Sequence, residues 1–176
     1  IQNAVRFVEK DHNIKLDMHS IDYDDKKVLA SIGTGNTEGI FQLESGGMKG
    51  FMKELKPQNL EDIIAGISLY RPGPMDFIPN FIPQYIKGKN NQDSVTYACP
   101  QLEAILKPTY GCIVYQEQVM QIVRDLAGYT LGRSDLVRRA MSKKKDYVMQ
   151  QERQNFVYGN KEENVPGCIA NGIDEK

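Results

Sequence analysis

Histidine and cysteine are scarce in this chain, no long apolar run occurs, and the net charge is only −1. Each shortage excludes something. Two histidines, His12 and His19, cannot build a three-histidine metal site. Both lie in one polar stretch with no nucleophile motif near them, so no Ser/His/Asp or Cys/His catalytic arrangement is expected. Cys99, Cys112 and Cys168 are odd in number and lack CxxC spacing, which argues against a disulfide framework or a zinc site. Reduced thiols and a cytoplasmic location are the expectation. Without a stretch of about 18 apolar residues, no membrane-spanning helix is expected, and no signal peptide is visible. The near-zero net charge means that any polyanion footprint must come from a local patch.

The composition itself is that of an ordinary globular protein, 40% hydrophobic and 26% charged over 176 residues. That length suits one domain or two small ones at roughly 150 residues per domain. The opening Ile1-Gln2-Asn3-Ala4-Val5-Arg6-Phe7-Val8 reads as a helix already under way, so the expectation is a piece excised from a longer protein. Helical spacing with proline and glycine punctuation dominates the rest of the chain. A helix is expected from an Asp24 or Asp25 cap to Gly33, another over 46–55 stopping before Pro57, and a third from Asn59 to Leu69. In the third, Leu60, Ile63, Ile64 and Ile67 make one apolar stripe. Ile40-Phe41-Gln42-Leu43 reads as extended, with Phe41 and Leu43 as core residues. Further helices are expected over 77–87, 113–127, 135–141 and 147–158, with a polar loop over 88–96. In the 113–127 helix, Tyr115, Val119, Ile122, Val123 and Leu126 face the core, while Glu117, Gln121 and Arg124 face away.

Three places invite a functional reading. Between Arg124 and Lys145 stand Arg124, Arg133, Arg138, Arg139, Lys143, Lys144 and Lys145 against only Asp125 and Asp135. Guanidinium groups take phosphate oxygens in a fork geometry, and Arg139 and Lys143 are one helical turn apart. A solvated charged face is the plainer reading of the same run. Asp22 and Asp24 would share one side of a strand, as a two-metal phosphoryl-transfer site needs. However, Asp25, Lys26 and Lys27 open a helix directly after them, and acidic residues at a helix start need no metal. We therefore read the pair as structural. Ser45-Gly46-Gly47-Met48-Lys49-Gly50 lacks the spacing of a phosphate loop and reads as a turn opening a helix.

Four phrases carry a resemblance. They are Gly39-Ile40-Phe41-Gln42-Leu43-Glu44-Ser45, Tyr70-Arg71-Pro72-Gly73-Pro74, the long run from Tyr110 through Gln116-Glu117-Gln118 to Ile122, and Ala127-Gly128-Tyr129-Thr130-Leu131-Gly132 through Arg138-Arg139-Ala140-Met141-Ser142-Lys143-Lys144. Together, over roughly residues 20–158, they resemble the alpha subunit of bacterial DNA polymerase III, the C-family replicative polymerase. The resemblance implies template-directed DNA synthesis by a parent protein whose palm aspartates hold two Mg2+ ions upstream of this segment. It implies no catalytic residue and no metal ligand in this chain, which would stop inside the fingers. The paired arginines map onto Arg138 and Arg139, which with Lys143 are the expected nucleotide ligands. Arg71, Gln116, Gln118, Arg133 and Lys144 are further candidates for nucleotide or template contact. For Arg71 a helix C-terminal cap is an equal reading, and Gln116, Glu117 and Gln118 cannot all face one way. Arg133 stands where the family form has a second glycine. Implied partners are primer–template DNA and dNTP and, in the parent holoenzyme, the sliding clamp, the proofreading exonuclease and the clamp loader.

The expected fold is mainly α, a multi-helix fingers subdomain with at most a short strand pair. The expected division is a helical segment after the palm (1–38), a fingers core (39–158) and a truncated C-terminal segment (159–176). The alternative function is a non-catalytic helical module that binds DNA backbone or a protein partner through its basic face.

Overall fold

A computed structural model describes residues 1–71, 81–143 and 146–174. The expected mainly α fold is borne out. The helices are α1 (Gln2–His12), α2 (Lys26–Gly33), α3 (Gly46–Leu55), α4 (Leu60–Leu69), α5 (Phe81–Asn90), α6 (Gln101–Leu106), α7 (Gln116–Ala127), α8 (Leu131–Ser142) and α9 (Asp146–Tyr158). Single 3₁₀ turns occupy Gln92–Ser94 and Lys107–Thr109, inside and beyond the stretch expected to be loop. Among the described residues, strand-like pairing is confined to one antiparallel bridge between Asn160 and Val165. The backbone forms two compact units, Ile1–Ile64 and Ala65–Lys176, with the division falling inside α4.

In the first unit, α1 buries no residue and ends on Asn13 in the left-handed region. Asp25 caps α2, accepting from the backbone N–H groups of Lys27 and Val28. Ser45 caps α3 by accepting from Met48 N, and α3 ends at Lys56 in the left-handed conformation, just before Pro57. Helix α2 lies against α3, where Leu29 and Ile32 of the first and Met48, Phe51, Met52 and Leu55 of the second are buried. Residues 40–43 form a turn instead of the expected extended segment. Leu43 N donates to Ile40 O, Gln42 has φ 65°, and the buried Thr37 hydroxyl donates to Leu43 O at 2.6 Å. The turn buries Leu43 but leaves Phe41 84% exposed, so Phe41 is not a core residue.

Asn59 caps α4 through Asp62 N at 2.8 Å, and Asp62 answers by accepting from Gln58 N at 2.8 Å. Together these bonds make a variant of the capping box, in which Asp62 accepts from the residue before the cap, Gln58, in place of the cap residue itself. It turns Asp62 inward, so the buried face of α4 runs through Asp62, Ala65 and Leu69. Ile64, expected in the apolar stripe, is 46% exposed.

The second unit is organised around α7, which packs on α6, α8 and α9. Its core joins Ile105 and Leu106 to Val123, Leu126, Ala127, Tyr129, Val137, Val165 and Cys168, with Ile122 and Phe156 half-buried against it. Of the expected α7 stripe, Val123 and Leu126 are buried and Tyr115, Val119 and Ile122 half-buried, while Glu117, Gln121 and Arg124 are exposed. The helix starts at Gln116, not 113, because Tyr115 is extended at the N-cap. Helix α8 starts four residues before the expected 135, because Thr130 accepts from Arg133 N at 3.2 Å and caps it there. Residues 159–174 fold back over the helices: Gly167 N donates to Ala127 O at 3.0 Å and Cys168 N to Phe156 O at 2.8 Å. Gly159 and Gly167 have φ 84° and 85°, and a Cβ on Gly159 would stand 2.3 Å from Pro166 O. Only glycine fits that approach.

Candidate functional site

Helix α8 buries Ser134, Val137 and Ala140 and leaves Arg138 and Arg139 accessible on its other sides. Asp135 lies three and four residues before Arg138 and Arg139, so one carboxylate can reach both. Its Oδ1 accepts from Arg138 Nε at 2.8 Å and from Nη2 at 2.7 Å, while Oδ2 lies 2.7 Å from Arg139 Nε. Arg138 Nη1 also donates to Gln116 Oε1 on α7 at 3.2 Å. The hydrogen bond from Arg138, with the two positive charges, holds the Asp135 carboxyl below its ordinary pKa. The Arg138 side chain is 28% exposed and that of Arg139 is 63% exposed. Lys143, at the end of α8, is exposed. Lys144 lies outside the described residues.

The other candidates are placed differently. Gln118 is buried beneath the start of α7. Its Oε1 accepts from Val114 N at 2.8 Å and Tyr115 N at 2.9 Å, and its Nε2 donates to Thr109 Oγ1 at 2.8 Å. Of the Gln116–Gln118 run, then, Gln116 joins the arginines and Gln118 braces the turn. Arg133 is enclosed by carboxylates. Its Nη2 bonds Glu152 Oε1 at 2.8 Å and Oε2 at 3.2 Å, Nη1 pairs with Glu163, and the guanidinium stacks over the Tyr129 ring at 5.2 Å. Arg71 Nε donates to Ile67 O at 3.2 Å, the helix-capping option of its two readings.

Asp22 and Asp24 also serve the backbone. Asp22 accepts from Asp24 N at 2.9 Å, and Asp24 accepts from Leu60 N at 3.0 Å at the start of α4. Among the described residues no group of three or more His, Cys, Asp or Glu side chains could hold a metal ion. All three cysteines are free. Burial pushes the Cys112 and Cys168 thiols up to about 11, so they remain protonated at neutral pH. Among the described residues no helix is long and apolar enough to cross a membrane.

In the sequence, Asp135 counts only as a charge subtracted from the basic run, and its part in the site goes unread there. Its spacing from the arginine pair was the available signal. Glu152 and Glu163 lie 19 and 30 positions beyond Arg133, and no local rule connects them.

Residues 1–164 match the family model of the bacterial DNA polymerase III alpha subunit finger domain. The chain is 49% identical over 161 residues, 92% of its length, to DNA polymerase III subunit alpha of Staphylococcus epidermidis. It is 49% identical over 159 residues, 90% of its length, to that of Bacillus subtilis, and 48% identical over 161 residues, 92% of its length, to that of Helicobacter pylori. The chain spans 15%, 14% and 13% of these relatives respectively. It belongs to the finger-domain family of the bacterial DNA polymerase III alpha subunit.

Proposed function

We propose that this chain is the part of a replicative DNA polymerase that positions the incoming dNTP and the template, while the parent protein carries out template-directed nucleotidyl transfer. The observation that carries the proposal is the accessible, carboxylate-braced pair Arg138 and Arg139 on α8 of a finger-family chain. Two guanidinium groups held one residue apart can take oxygens of neighbouring phosphates. They stabilise negative charge that grows on the departing pyrophosphate, a favourable use of preorganised cations. Lys143 adds a charge one turn further on.

Asp22 and Asp24 accept from backbone N–H groups, which supports a structural role for the pair over a two-metal centre. The Mg2+ ions of the parent enzyme belong to residues outside this chain. In this reading the partners are primer–template DNA and dNTP, with the sliding clamp, exonuclease and clamp loader joining the parent holoenzyme in the cytoplasm. The alternative of a general DNA-backbone surface is weakened by Glu152 and Glu163, which occupy Arg133, and by Asp135, which offsets one charge of the pair.

In the full polymerase, Arg138→Ala or Arg139→Ala should lower kcat/KM for nucleotide by about 1.5–3 kcal/mol, the scale of a hydrogen bond to a charged group. Affinity for primer–template without nucleotide should change much less. Normal nucleotide kinetics in both variants, with lower melting temperatures, would make the pair structural. Equal loss of binding to any duplex, with steep salt dependence, would favour the backbone surface.

The isolated chain should extend no primer with magnesium and all four nucleotides. Extension that disappears in an Asp22→Asn, Asp24→Asn double variant would overturn that expectation.

A further inference from the structure

We infer that Asp135 is a positioning residue for nucleotide binding, one that locks Arg138 as a brace and leaves Arg139 as the leading phosphate ligand. The inference rests on the functional reading of the arginine pair and adds to it a residue and a division of labour. A guanidinium offers five N–H donors. Arg138 commits Nε and one N–H of Nη2 to Asp135 and one N–H of Nη1 to Gln116, which leaves two donors. Arg139 meets Asp135 through Nε at 2.7 Å. Among the described residues, no partner is seen for its two terminal nitrogens. Greater exposure points the same way, 63% for Arg139 against 28% for Arg138.

An exposed i,i+3 or i,i+4 ion pair on a helix ordinarily contributes little. Two features set this one apart. A single carboxylate serves two adjacent arginines, whose directions on a helix diverge by about 100°. A side chain from a second helix, Gln116, fixes the far edge of Arg138. An arginine free in solution carries about 2 kcal/mol of rotamer entropy, which a ligand would otherwise have to overcome on binding. Asp135 removes part of that cost beforehand. The terminal fork of Arg139 is then left accessible while its Nε is held at Asp135.

The test uses the full polymerase with dNTP and primer–template. Asp135→Ala should raise the nucleotide KM roughly five- to twentyfold while kcat changes less, because the loss falls on binding geometry. Asp135→Asn retains an acceptor for Arg138 and should recover more than half of that loss on a logarithmic scale. The decisive measurement adds Asp135→Ala to an Arg138→Ala, Arg139→Ala background. An effect exerted through the arginines vanishes there, whereas a general structural effect persists.

An unchanged KM in Asp135→Ala, while the arginine variants raise it, would overturn the role of Asp135 and leave the functional reading standing. Persistence of its effect in the double-arginine background would do the same. A silent Arg138→Ala, Arg139→Ala enzyme would overturn the functional reading itself. For the division of labour, Arg139→Ala should cost more nucleotide affinity than Arg138→Ala, and the reverse order would refute it. If the alanine variant proves unstable, the asparagine variant carries the same comparisons.

Discussion

Replacing Gln118 with alanine should lower the stability of the chain by about 3–5 kcal/mol, through unsatisfied polar groups and lost packing together. Gln118 is only 7% exposed. Its carbonyl oxygen receives Val114 N and Tyr115 N. Its amide nitrogen donates to Thr109 Oγ1 at 2.8 Å and to Ile105 O at 3.2 Å. The side chain thereby ties the entrance of α7 to the end of α6 and the adjoining 3₁₀ turn. Truncation removes the acceptor of two half-buried backbone N–H groups, each costing up to roughly 1–3 kcal/mol if left without a partner. Gln118→Met keeps most of the volume but none of the hydrogen bonds, so it should retain the larger part of the loss. Thermal or urea denaturation reads the difference, at about 2–4 °C per kcal/mol for a chain of this size. A loss under about 1 kcal/mol in both variants would show that water takes over these partners.

The contrast between Gln116 and Gln118 shows what a sequence can disclose about a site. Helical geometry separates them by about 200°, so it is legible that both cannot face one ligand. Which of them turns inward depends on Tyr115 being extended and on Thr109 and Ile105 waiting beneath, and those contacts are set by tertiary packing. Features governed by adjacent residues were legible: the Asn59 cap, a cap for α2 at Asp24 or Asp25 (Asp25 in the structure), the bounds of α3, and Val123 and Leu126 as the buried part of the α7 stripe. Features governed by competition between local and distant terms were not. In α4 the reciprocal Asn59–Asp62 cap outweighs the hydrophobic stripe and leaves Ile64 exposed. At 40–43 the Thr37–Leu43 hydrogen bond favours a turn where apolar alternation suggests extension.

The basic run obeys the same rule. Counted along the sequence it is strongly positive, yet its members meet different fates. Arg138 and Arg139 share a nearby carboxylate and remain accessible, whereas Arg133 is enclosed by two distant ones. Charge counting detects the patch but does not distinguish a ligand-facing arginine from a structural one. That distinction needs the three-dimensional neighbours, and it separates a kinetic phenotype from a stability phenotype.

Arg133→Ala should accordingly behave as a stability variant, costing about 3 kcal/mol, the lower end of what is lost when one partner of a buried pair is removed. The Arg133 and Glu152 side chains are each 16% exposed, so the Glu152 carboxylate left behind would be poorly hydrated. Tyr129 would remain its hydrogen-bond donor, from the hydroxyl to Oε2 at 2.8 Å. Burial first, and then the hydrogen bond to Glu152, holds the Tyr129 hydroxyl above its ordinary pKa, so it stays a neutral donor. Glu163, 47% exposed, would be released to water at little cost. The cation stacked on Tyr129 is lost as well, a contact worth roughly 0.5–2 kcal/mol. Arg133→Lys keeps the charge but not the planar fork, and should recover only part of the stability. Because Arg133 Nε is itself buried with no hydrogen-bond partner among the described residues, the cluster is imperfectly satisfied. An Arg133→Met, Glu152→Leu double variant should therefore unfold closer to the parent chain than Arg133→Ala does. High salt separates this arrangement from a surface pair, since screening at about 1 M acts over about 3 Å between exposed charges but weakly on enclosed ones. The loss in Arg133→Ala should persist in NaCl at about that concentration; its disappearance there would place Arg133 among the solvated charges and reopen it as a phosphate ligand.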